Sequence, residues 1–407
     1  MTDTTPDAAA PVRDPRIARQ SHLLADGREL IYFDDADTQL EPERAPDLRE
    51  LSPRPANATM RQDPLTGEWV SIAAARQNRV MLPPAHLDPL SPQSPGNPSE
   101  IPSRYDVAVF ENKSPSFGPL LADSDDPCMD APRSLADLAS VGLGRSRTSV
   151  GRCEVVCFSP EHEGSFGTQT VSRARTVIEA WADRTAALSA MPGVQQVFPF
   201  ENRGEAIGVT LGHPHGQIYS YPYVTPRTER LLDAVSRYEP AEGGRGLFAD
   251  ILAFEQAGER LLLQGEHWSA FVPFAARWPV EVHMLPHRHV PDFAATSLAE
   301  RDELAVLYLR LLRGIDALYE TPTPYIAAWH QAPVGVGRDD IRLMLQLTSP
   351  RRAADKLKFL AGSEAAMGAW IGDVAPETAA ASIRAAIARA DAATPVLATP
   401  ATEGSPA

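Results

Sequence analysis

The sequence of 407 residues predicts a protein of mixed strands and helices, built from two copies of one structural unit. Each copy contains a strand, a helix and two further strands, in a similar order and at similar lengths. Chains longer than about 250–300 residues exceed what one hydrophobic core supports, so a duplicated architecture also suits this length. The copies differ at one place, where the first has histidines and the second has the leucine-rich stretch 343–347. We therefore expect one half to be active and the other to be scaffold.

The first copy begins with the probable strand CEVVCFSPEH (153–162). A helix covering residues 170–191 follows, because its apolar residues recur at the spacing of one helix face. These residues are Val171, Ala174, Val177, Ile178, Trp181 and Leu188. The strand VQQVFPFEN (194–202) and the segment GHPHGQIYSY (212–221) complete this copy.

The second copy begins with the strand VEVHMLPHRH (280–289). Its helix opens with Ser297 and Glu300, which have the spacing of a capping box. The apolar face of this helix consists of Leu304, Leu307, Leu311, Ile315 and Leu318. The strands YIAAWH (325–330) and IRLMLQLTS (341–349) complete the second copy.

The segments outside the repeat show weak apolar periodicity. Residues 1–55 are rich in Asp, Pro, Ala and Arg, and we expect a mostly disordered extension with one short strand at ELIYFDD. The stretch 82–103 is rich in proline and serine and predicts an irregular loop. The predicted organisation is an extension at 1–55, an N-terminal half at 56–235, a C-terminal half at 236–393 and a disordered tail at 394–407.

The composition limits the partners and the location. The formal net charge of −15 argues against nucleic acid and anionic membranes, because both require clustered cations. The sequence has no apolar run near the roughly 18 residues of a membrane span, and its polar start lacks the apolar core of a signal peptide. Three cysteines without a CxxC pair favour neither a disulfide framework nor a zinc ribbon. We expect a protein of the cytoplasm.

The segment 212–221 carries His213, His215 and Gln217 at alternate positions. Alternate side chains of an extended strand share one face, so these three polar groups would line up on one surface. Pro214 cannot donate a ladder hydrogen bond, which places the segment at an edge or an interruption of the sheet. One histidine on a strand is more often structural than catalytic. Two histidines and a glutamine on one face, between glycines, favour a functional site.

The pattern HPHGQ, with Asn202 eleven residues before His213, resembles the active-site pattern of the galactose-1-phosphate uridylyltransferase family, in the histidine-triad superfamily. Further segments resemble this family in the same order. They are DPLTGEWVSIAAARQNR (63–79), CFSPEH (157–162), EHWSAFVPFAARWPVE (266–281), WHQAP (329–333) and KFLAGSE (358–364). The resemblance implies an α+β fold of two fused histidine-triad-like repeats, an antiparallel sheet with helices packed outside, whose N-terminal half is catalytic.

The resemblance also implies a nucleotidyltransferase. In this family the second histidine of HPH attacks the α-phosphorus of UDP-glucose, so His215 would carry the uridylyl group while glucose 1-phosphate leaves. Galactose 1-phosphate would then accept the group and give UDP-galactose, by a ping-pong route of galactose metabolism. A neutral imidazole is nucleophilic near pH 7, and its phosphoramidate is reactive. Gln217 can hydrogen-bond a phosphoryl oxygen without a labile proton, which favours transfer over hydrolysis.

Other matched positions imply substrate-binding residues. Arg76 and Arg79 stand where the family binds phosphate, and guanidinium groups suit phosphate oxygens. The positions that contact the nucleotide or the phosphate correspond to Asn112, Asn202, Thr210 and Gln217. Lys358 and Glu364 match part of a loop near the nucleotide that would reach across a dimer, and the resemblance implies a homodimer. Hexose 1-phosphates and their UDP sugars are the expected partners.

No metal cofactor is expected. Many family members bind zinc through a CxxC pair, the first histidine of HPH and one further histidine, but Ser91 and Ser94 occupy the cysteine positions here. A hydroxyl is a poor zinc ligand, so His213 would position His215 without metal. The second metal site of some members would keep His330, whereas its other positions fall at Leu231, Leu345 and Leu347.

His283, His287 and His289 form a rival metal cluster, but we identify no acidic or cysteine partner for them and expect no metal there. His162 and His267 match structural positions of the family.

Two other functions stay open. One is a related adenylyl or nucleotidyl transferase, or a dinucleoside polyphosphate phosphorylase, with the same histidine. The other is a nucleotide-sugar sensor without catalysis.

Overall fold

The computed structural model describes residues 12–51, 58–73, 82–118 and 143–396 of the chain. Its strands are β1 (Ala18–Leu23), β2 (Glu29–Asp34), β3 (Thr59–Gln62), β4 (Trp69–Ile72), β5 (Val107–Glu111), β6 (Ser146–Thr148), β7 (Arg152–Cys157), β8 (Gln196–Arg203), β9 (His215–Tyr221), β10 (Leu261–Gln264), β11 (Trp268–Phe271), β12 (Val280–Pro286), β13 (Tyr325–His330), β14 (Met344–Ser349), β15 (Arg351–Ala353) and β16 (Lys356–Leu357). Eleven of them form one sheet in the order β1-β2-β5-β7-β9-β8-β13-β14-β12-β11-β10, while β4-β3-β6 and β15-β16 form two small sheets.

The helices in the described part of the chain are α1 (Val171–Ser189), α2 (Pro226–Ser236), α3 (Leu247–Gln256), α4 (Leu298–Asp316), α5 (Gly362–Met367) and α6 (Pro376–Ala393). Helix α4 begins with the predicted capping box, in which Ser297 Oγ accepts from Glu300 N–H and Glu300 Oε2 accepts from Ser297 N–H. The N-cap of α1 is Thr170, whose side chain accepts from the backbone N–H of Arg173. None of these helices is long and apolar enough to cross a membrane.

The repeat is visible in the order of the large sheet. Strands β7, β9 and β8 lie side by side in the first half, and β12, β14 and β13 do so in the second. The halves join where β8 pairs antiparallel with β13, from Tyr325 opposite Arg203 to Ala328 opposite Phe200. The predicted α+β fold with an antiparallel sheet is therefore confirmed. Strand β14 has the place in the second half that β9 has in the first.

The main hydrophobic core lies between the sheet and the helices α1, α4 and α6. Aromatic rings of both halves meet there, with Trp181 on α1, Tyr308 on α4 and Trp329 on β13. Burying one such side chain stabilises the fold by roughly 1.5–3 kcal/mol, so this shared cluster binds the halves into one body.

The opposite face of the first half is covered by irregular chain and not by helices. The predicted loop 82–103 lies there, and its residues Leu90 and Ile101 pack with Tyr105 against Val155 and Cys157 of β7. The Tyr105 hydroxyl contacts the carbonyl oxygens of Leu90 and Ser159 at 2.7 and 2.8 Å. Long-range contacts of this kind give the loop one conformation despite its lack of periodicity.

The prediction of a mostly disordered extension at 1–55 is wrong for residues 12–51. The predicted strand at ELIYFDD is β2, which pairs with β1 on one side and with β5 on the other. Ile31 and Phe33 of β2 are buried in the main core, and Arg301 of α4 donates to the carbonyl oxygen of Val12. Residues 1–11 and 397–407 lie outside the described residues, and the second of these ranges makes up most of the predicted tail.

We expect Phe33→Ala to lower the free energy of unfolding by about 3–5 kcal/mol, because the ring is 1% exposed and its removal leaves a cavity. Urea denaturation followed by circular dichroism measures the change. Leu23→Ala on the neighbouring strand is the matched control, since Leu23 is 70% exposed and should shift stability by less than about 0.5 kcal/mol. Equal effects of the two substitutions would show that β2 does not belong to the core.

Candidate active site

The histidine segment becomes the central strand β9 of the first half. His215 lies opposite Cys157 of β7, and Gln217 lies between Val155 of β7 and Phe200 of β8. His215 and Gln217 are half-buried on the face away from the helices, whereas Gly216 between them is buried. A Cβ atom on Gly216 would lie 2.8 Å from Phe158 Cζ and 2.9 Å from the Phe200 carbonyl oxygen. Glycine is therefore required here for sheet packing.

The proton of His215 is placed by a backbone hydrogen bond. Its Nδ1 lies 2.7 Å from the carbonyl oxygen of His213, which can only accept. Nδ1 therefore carries the hydrogen, and Nε2 keeps its lone pair. Burial is the main cause that lowers the pKa of His215 below its usual value of 6.5. A neutral imidazole with a free Nε2 is a nucleophile at neutral pH.

His213 precedes β9, and its ring is buried between two acceptors. Nδ1 lies 2.6 Å from Asp88 Oδ2, and Nε2 lies 2.8 Å from the Ser159 carbonyl oxygen. Nε2 also lies 3.1 Å from the Tyr105 hydroxyl. These contacts at both nitrogens hold the His213 ring in place, and the Asp88 carboxylate accepts the Nδ1–H.

Asp88 is a residue beside the predicted histidines that the sequence prediction missed. Burial by itself raises the pKa of this carboxyl, but the hydrogen bond and charge of His213, together with Ser91 and the Leu90 amide, hold the pKa well below its usual range. His162 also contacts Asp88, with Nδ1 2.9 Å from Oδ2. We searched the described residues for groups of at least three histidine, cysteine, aspartate or glutamate side chains whose ligand atoms all lie within 4.8 Å of one another. The one such group is Asp88, His162 and His213. They are the candidates for holding a metal ion.

Two cavities meet at His215. The first has a volume of about 320 Å³, and predicted substrate-binding residues line it together with Lys113 and Arg28. Those predicted residues are Asn112, Thr210 and Gln217. The second has a volume of about 280 Å³ and is lined by Asn202 and His213 as well as His215. His215 is therefore accessible from both cavities.

Other predicted binding residues are not brought to His215 within this chain. Lys358 Nζ contacts Glu364 Oε1 at 2.7 Å and the Arg277 carbonyl oxygen at 2.9 Å. Lys358 lines a separate cavity of about 220 Å³ with Trp278, which neither histidine reaches. Arg76 and Arg79 lie outside the described residues.

The corresponding face of the second half carries a hydrogen-bonded network. Leu345 and Leu347 are buried in the main core, as the predicted apolar face requires. Gln346 lies between them on the other face, where its Nε2 donates to Glu281 Oε1 at 2.7 Å and its Oε1 lies 3.2 Å from His330 Nε2.

The rival histidine cluster does have an acidic partner, contrary to the sequence prediction. His283 Nε2 lies 3.3 Å from Glu281 Oε1. The other two histidines bond elsewhere, His287 to Ser269 Oγ at 2.8 Å and His289 to the Arg338 carbonyl oxygen at 2.8 Å. The three rings therefore do not converge on one point.

Glu201, the residue before Asn202, is a second group that the sequence prediction missed. The Tyr325 hydroxyl donates to Glu201 Oε1 at 3.1 Å, and no described residue bonds to Oε2. Burial raises the pKa of Glu201 from 4.5 to about 8, against the opposing charge of Arg203. The carboxyl is therefore neutral at pH 7. Its signal in the sequence is only the acidic residue in FENRG, because the burial comes from the other half.

The fold is a two-repeat antiparallel sheet, and a neutral histidine lies on it between two cavities. These features indicate the class of proteins that bind a ligand next to a nucleophilic side chain. The sequence matches the family models "Galactose-1-phosphate uridyl transferase, N-terminal domain" over residues 51–225 and "Galactose-1-phosphate uridyl transferase, C-terminal domain" over residues 232–393. The chain belongs to the galactose-1-phosphate uridylyltransferase family, as its sequence motifs predict.

Individual relatives agree with this assignment. The chain is 45% identical over 341 residues to the galactose-1-phosphate uridylyltransferase of Streptomyces lividans, with 82% of this chain and 87% of the relative covered. It is 33% identical to the Thermotoga maritima enzyme of that name, with 80% and 97% covered. A solved uridylyltransferase structure has a TM-score of 0.68 and 27% identity, and the match covers 81% of this chain and 99% of that one.

The raised pKa of Glu201 predicts a pH-dependent stability difference from Glu201→Gln. The unfolded carboxyl ionises near pH 4.5 but the folded one only near pH 8, so the wild type loses stability relative to the variant as pH rises through this window. Below pH 4.5 and above pH 8 the difference should stay constant. Thermal unfolding at pH 4.5 to 9 measures it. Glu205→Gln, at an exposed position in the same segment, is the control, and a flat difference for Glu201→Gln would contradict the raised pKa.

Proposed function

We propose that this chain transfers a uridylyl group from UDP-glucose to galactose 1-phosphate by a ping-pong route through uridylyl-His215. The observation that carries the proposal is the free Nε2 lone pair of His215 at the meeting point of two cavities. Family membership and the 45% identity to a galactose-1-phosphate uridylyltransferase support the choice of substrates.

The two half-reactions balance without a proton transfer at His215. In the first, Nε2 attacks the α-phosphorus of UDP-glucose, a P–N bond forms, and the bond to the bridging oxygen breaks with its electron pair leaving on glucose 1-phosphate. The ring becomes positive, and the Nδ1–H donated to the His213 carbonyl oxygen stabilises that charge. In the second, a phosphate oxygen of galactose 1-phosphate attacks the same phosphorus, and the P–N bond returns its pair to Nε2.

The lining of the first cavity suits the nucleotide part of the substrate. Gln217 lies next to His215 on the same face and can donate its amide to a phosphoryl oxygen. Asn112 and Thr210 offer hydrogen bonds to the nucleotide and its phosphate, and Lys113 adds positive charge. Asn202 lines the second cavity, where it can contact the nucleotide from another side of His215. We assign Arg76 and Arg79 to phosphate binding on the family resemblance alone.

The protein acts as a homodimer in this proposal. The loop with Lys358 and Glu364 also carries large apolar side chains at the surface, including Phe359, which is 78% exposed, and Met367, which is 79% exposed. Such a patch on an otherwise charged protein marks an interaction surface. A second copy would bury it and would bring Lys358 and Glu364 towards the partner's nucleotide. The net charge of −15 argues against nucleic acid and anionic membranes as partners, and we place the protein in the cytoplasm.

The covalent intermediate is tested with UDP-glucose labelled in the uridylyl group. After incubation and digestion, we expect the label in the peptide that contains His215, and His215→Asn should reduce exchange between the sugar nucleotides by at least about 10³-fold because it removes the nucleophile. His22→Asn is the control, since His22 lies on β1 with three strands between it and β9. Label at another residue would reject the mechanism. Competition by adenine nucleotides, but not by galactose 1-phosphate, would favour the adenylyl alternative.

The dimer is tested by sedimentation of the wild type and of the double variant Phe359→Asp, Met367→Asp. We expect the wild type at twice the 44.1 kDa of one chain, and the variant at one chain, because buried carboxylates oppose association. Leu65→Asp, at a position 93% exposed elsewhere, should leave the mass unchanged. A wild type that sediments as a monomer would reject this part of the proposal.

A further inference from the structure

We propose that Asp88 is the positioning residue of the nucleophilic histidine, and that its carboxylate replaces the zinc ion that the family resemblance places beside His213. The inference rests on the proposed function, since it takes His215 as the nucleophile. It concerns a residue of the proline-rich loop 82–103 that lies outside every motif of the family resemblance.

Four donors converge on the Asp88 carboxylate. Oδ2 accepts from Ser91 Oγ at 2.7 Å, from His162 Nδ1 at 2.9 Å and from His213 Nδ1 at 2.6 Å. Oδ1 accepts from the backbone N–H of Leu90 at 2.9 Å. Three of these contacts fall on Oδ2 and one on Oδ1, and together they join the loop to both histidines as a metal ion would.

The same distances argue against a zinc ion among these residues. Two ligand atoms on one tetrahedral zinc ion, each about 2.0–2.2 Å from the metal, lie about 3.3–3.6 Å apart. Asp88 Oδ2 is closer than this to both imidazole nitrogens, at distances typical of hydrogen bonds. Ser91 stands at one cysteine position of the family motif and uses its hydroxyl to donate to Asp88. The donor set therefore suits a buried anion and does not suit zinc.

The loop holds Asp88 firmly in this place. Asn97 Nδ2 donates to the Asp88 carbonyl oxygen at 2.9 Å, and Tyr105, packed under the loop, contacts the Leu90 carbonyl oxygen. Asp88 and His213 are both almost fully buried, so the hydrogen bond between them forms with little competing water. Loss of the carboxylate would leave the buried Nδ1–H of His213 without its acceptor.

The link from Asp88 to the reacting atom passes through His213. Asp88 and the Ser159 carbonyl oxygen hold the His213 ring at both nitrogens, which fixes the backbone of this residue. The carbonyl oxygen of the same residue accepts the Nδ1–H of His215. Asp88 thus sets the direction of the His215 ring and the position of its proton without touching the substrate.

The metal part of the proposal is tested on the wild type, purified without added metal. Elemental analysis should find far less than one zinc ion per chain, and dialysis against a chelator should leave kcat unchanged. One zinc ion per chain, lost together with activity on chelation, would overturn the proposal.

The positioning part is tested with Asp88→Asn. We expect kcat and the single-turnover rate of His215 uridylylation to fall by about 10²-fold, while KM for UDP-glucose changes less than about 3-fold because the residue does not contact the nucleotide. Asp88→Glu, which keeps the charge, should recover part of the lost rate. Ser94→Ala, at the other cysteine position and exposed in the same loop, is the control. A kcat for Asp88→Asn within about 3-fold of the wild type would overturn the proposal.

A further measurement covers the case in which the Asp88 variants do not fold. Histidine ¹⁵N NMR of the wild type at pH 7.5 should show the Nδ1–H tautomer at His215, identified by loss of its signal in His215→Asn. The Nε2–H tautomer at His215 would overturn the proposal. The metal analysis and the NMR signals do not depend on the substrate, so failure here is distinguishable from failure of the proposed function.

Discussion

The hydrogen bond from His215 Nδ1 to the backbone carbonyl of His213 is the interaction on which the site depends. A free imidazole exchanges its proton between two nitrogens, and only the unprotonated nitrogen can attack phosphorus. The carbonyl removes this ambiguity because it accepts a hydrogen bond and cannot donate one. Since the acceptor lies two residues earlier on the same extended chain, anything that fixes His213 also fixes the nucleophile. This explains why a buried carboxylate hydrogen-bonds to a residue that does not react.

The fold supports this interaction because the two faces of the sheet are covered differently. Helices α1, α4 and α6 cover one face and build a core that both halves share. The other face of the first half is covered by irregular chain, which can bring polar groups such as Asp88 and Asn112 close to β9 and still leave cavities. A helix packed there would have filled this space with apolar side chains. The second half keeps the architecture, but its strand β14 turns Leu345 and Leu347 into the core and has Gln346 on the face where β9 has Gln217.

The differences between the predicted and the observed structure have one cause. Strand β2 coincides with the short strand predicted at ELIYFDD, yet the segment around it was expected to be mostly disordered because it is rich in Asp, Pro, Ala and Arg. Those residues are ordered through distant partners, as in the bonds from Arg301 to Val12 and from Arg173 to Asp35 and Asp106. The proline-rich loop 82–103 is similar, since its order comes from packing against β7. Local periodicity contains no information about such partners.

The sequence alone determined the repeat, the helix starts at Thr170 and Ser297, the placement of His215 and Gln217 on one face, and the family. These follow from spacing and from motifs, which are local properties of the chain. Only the tertiary structure decided that Asp88 meets His213, that Glu201 is buried and neutral, and that Lys358 and Glu364 bond to each other away from His215. Each of these depends on packing between segments that are far apart in the chain, and for Asp88 and Glu201 the burial and the neighbouring charges shift the pKa.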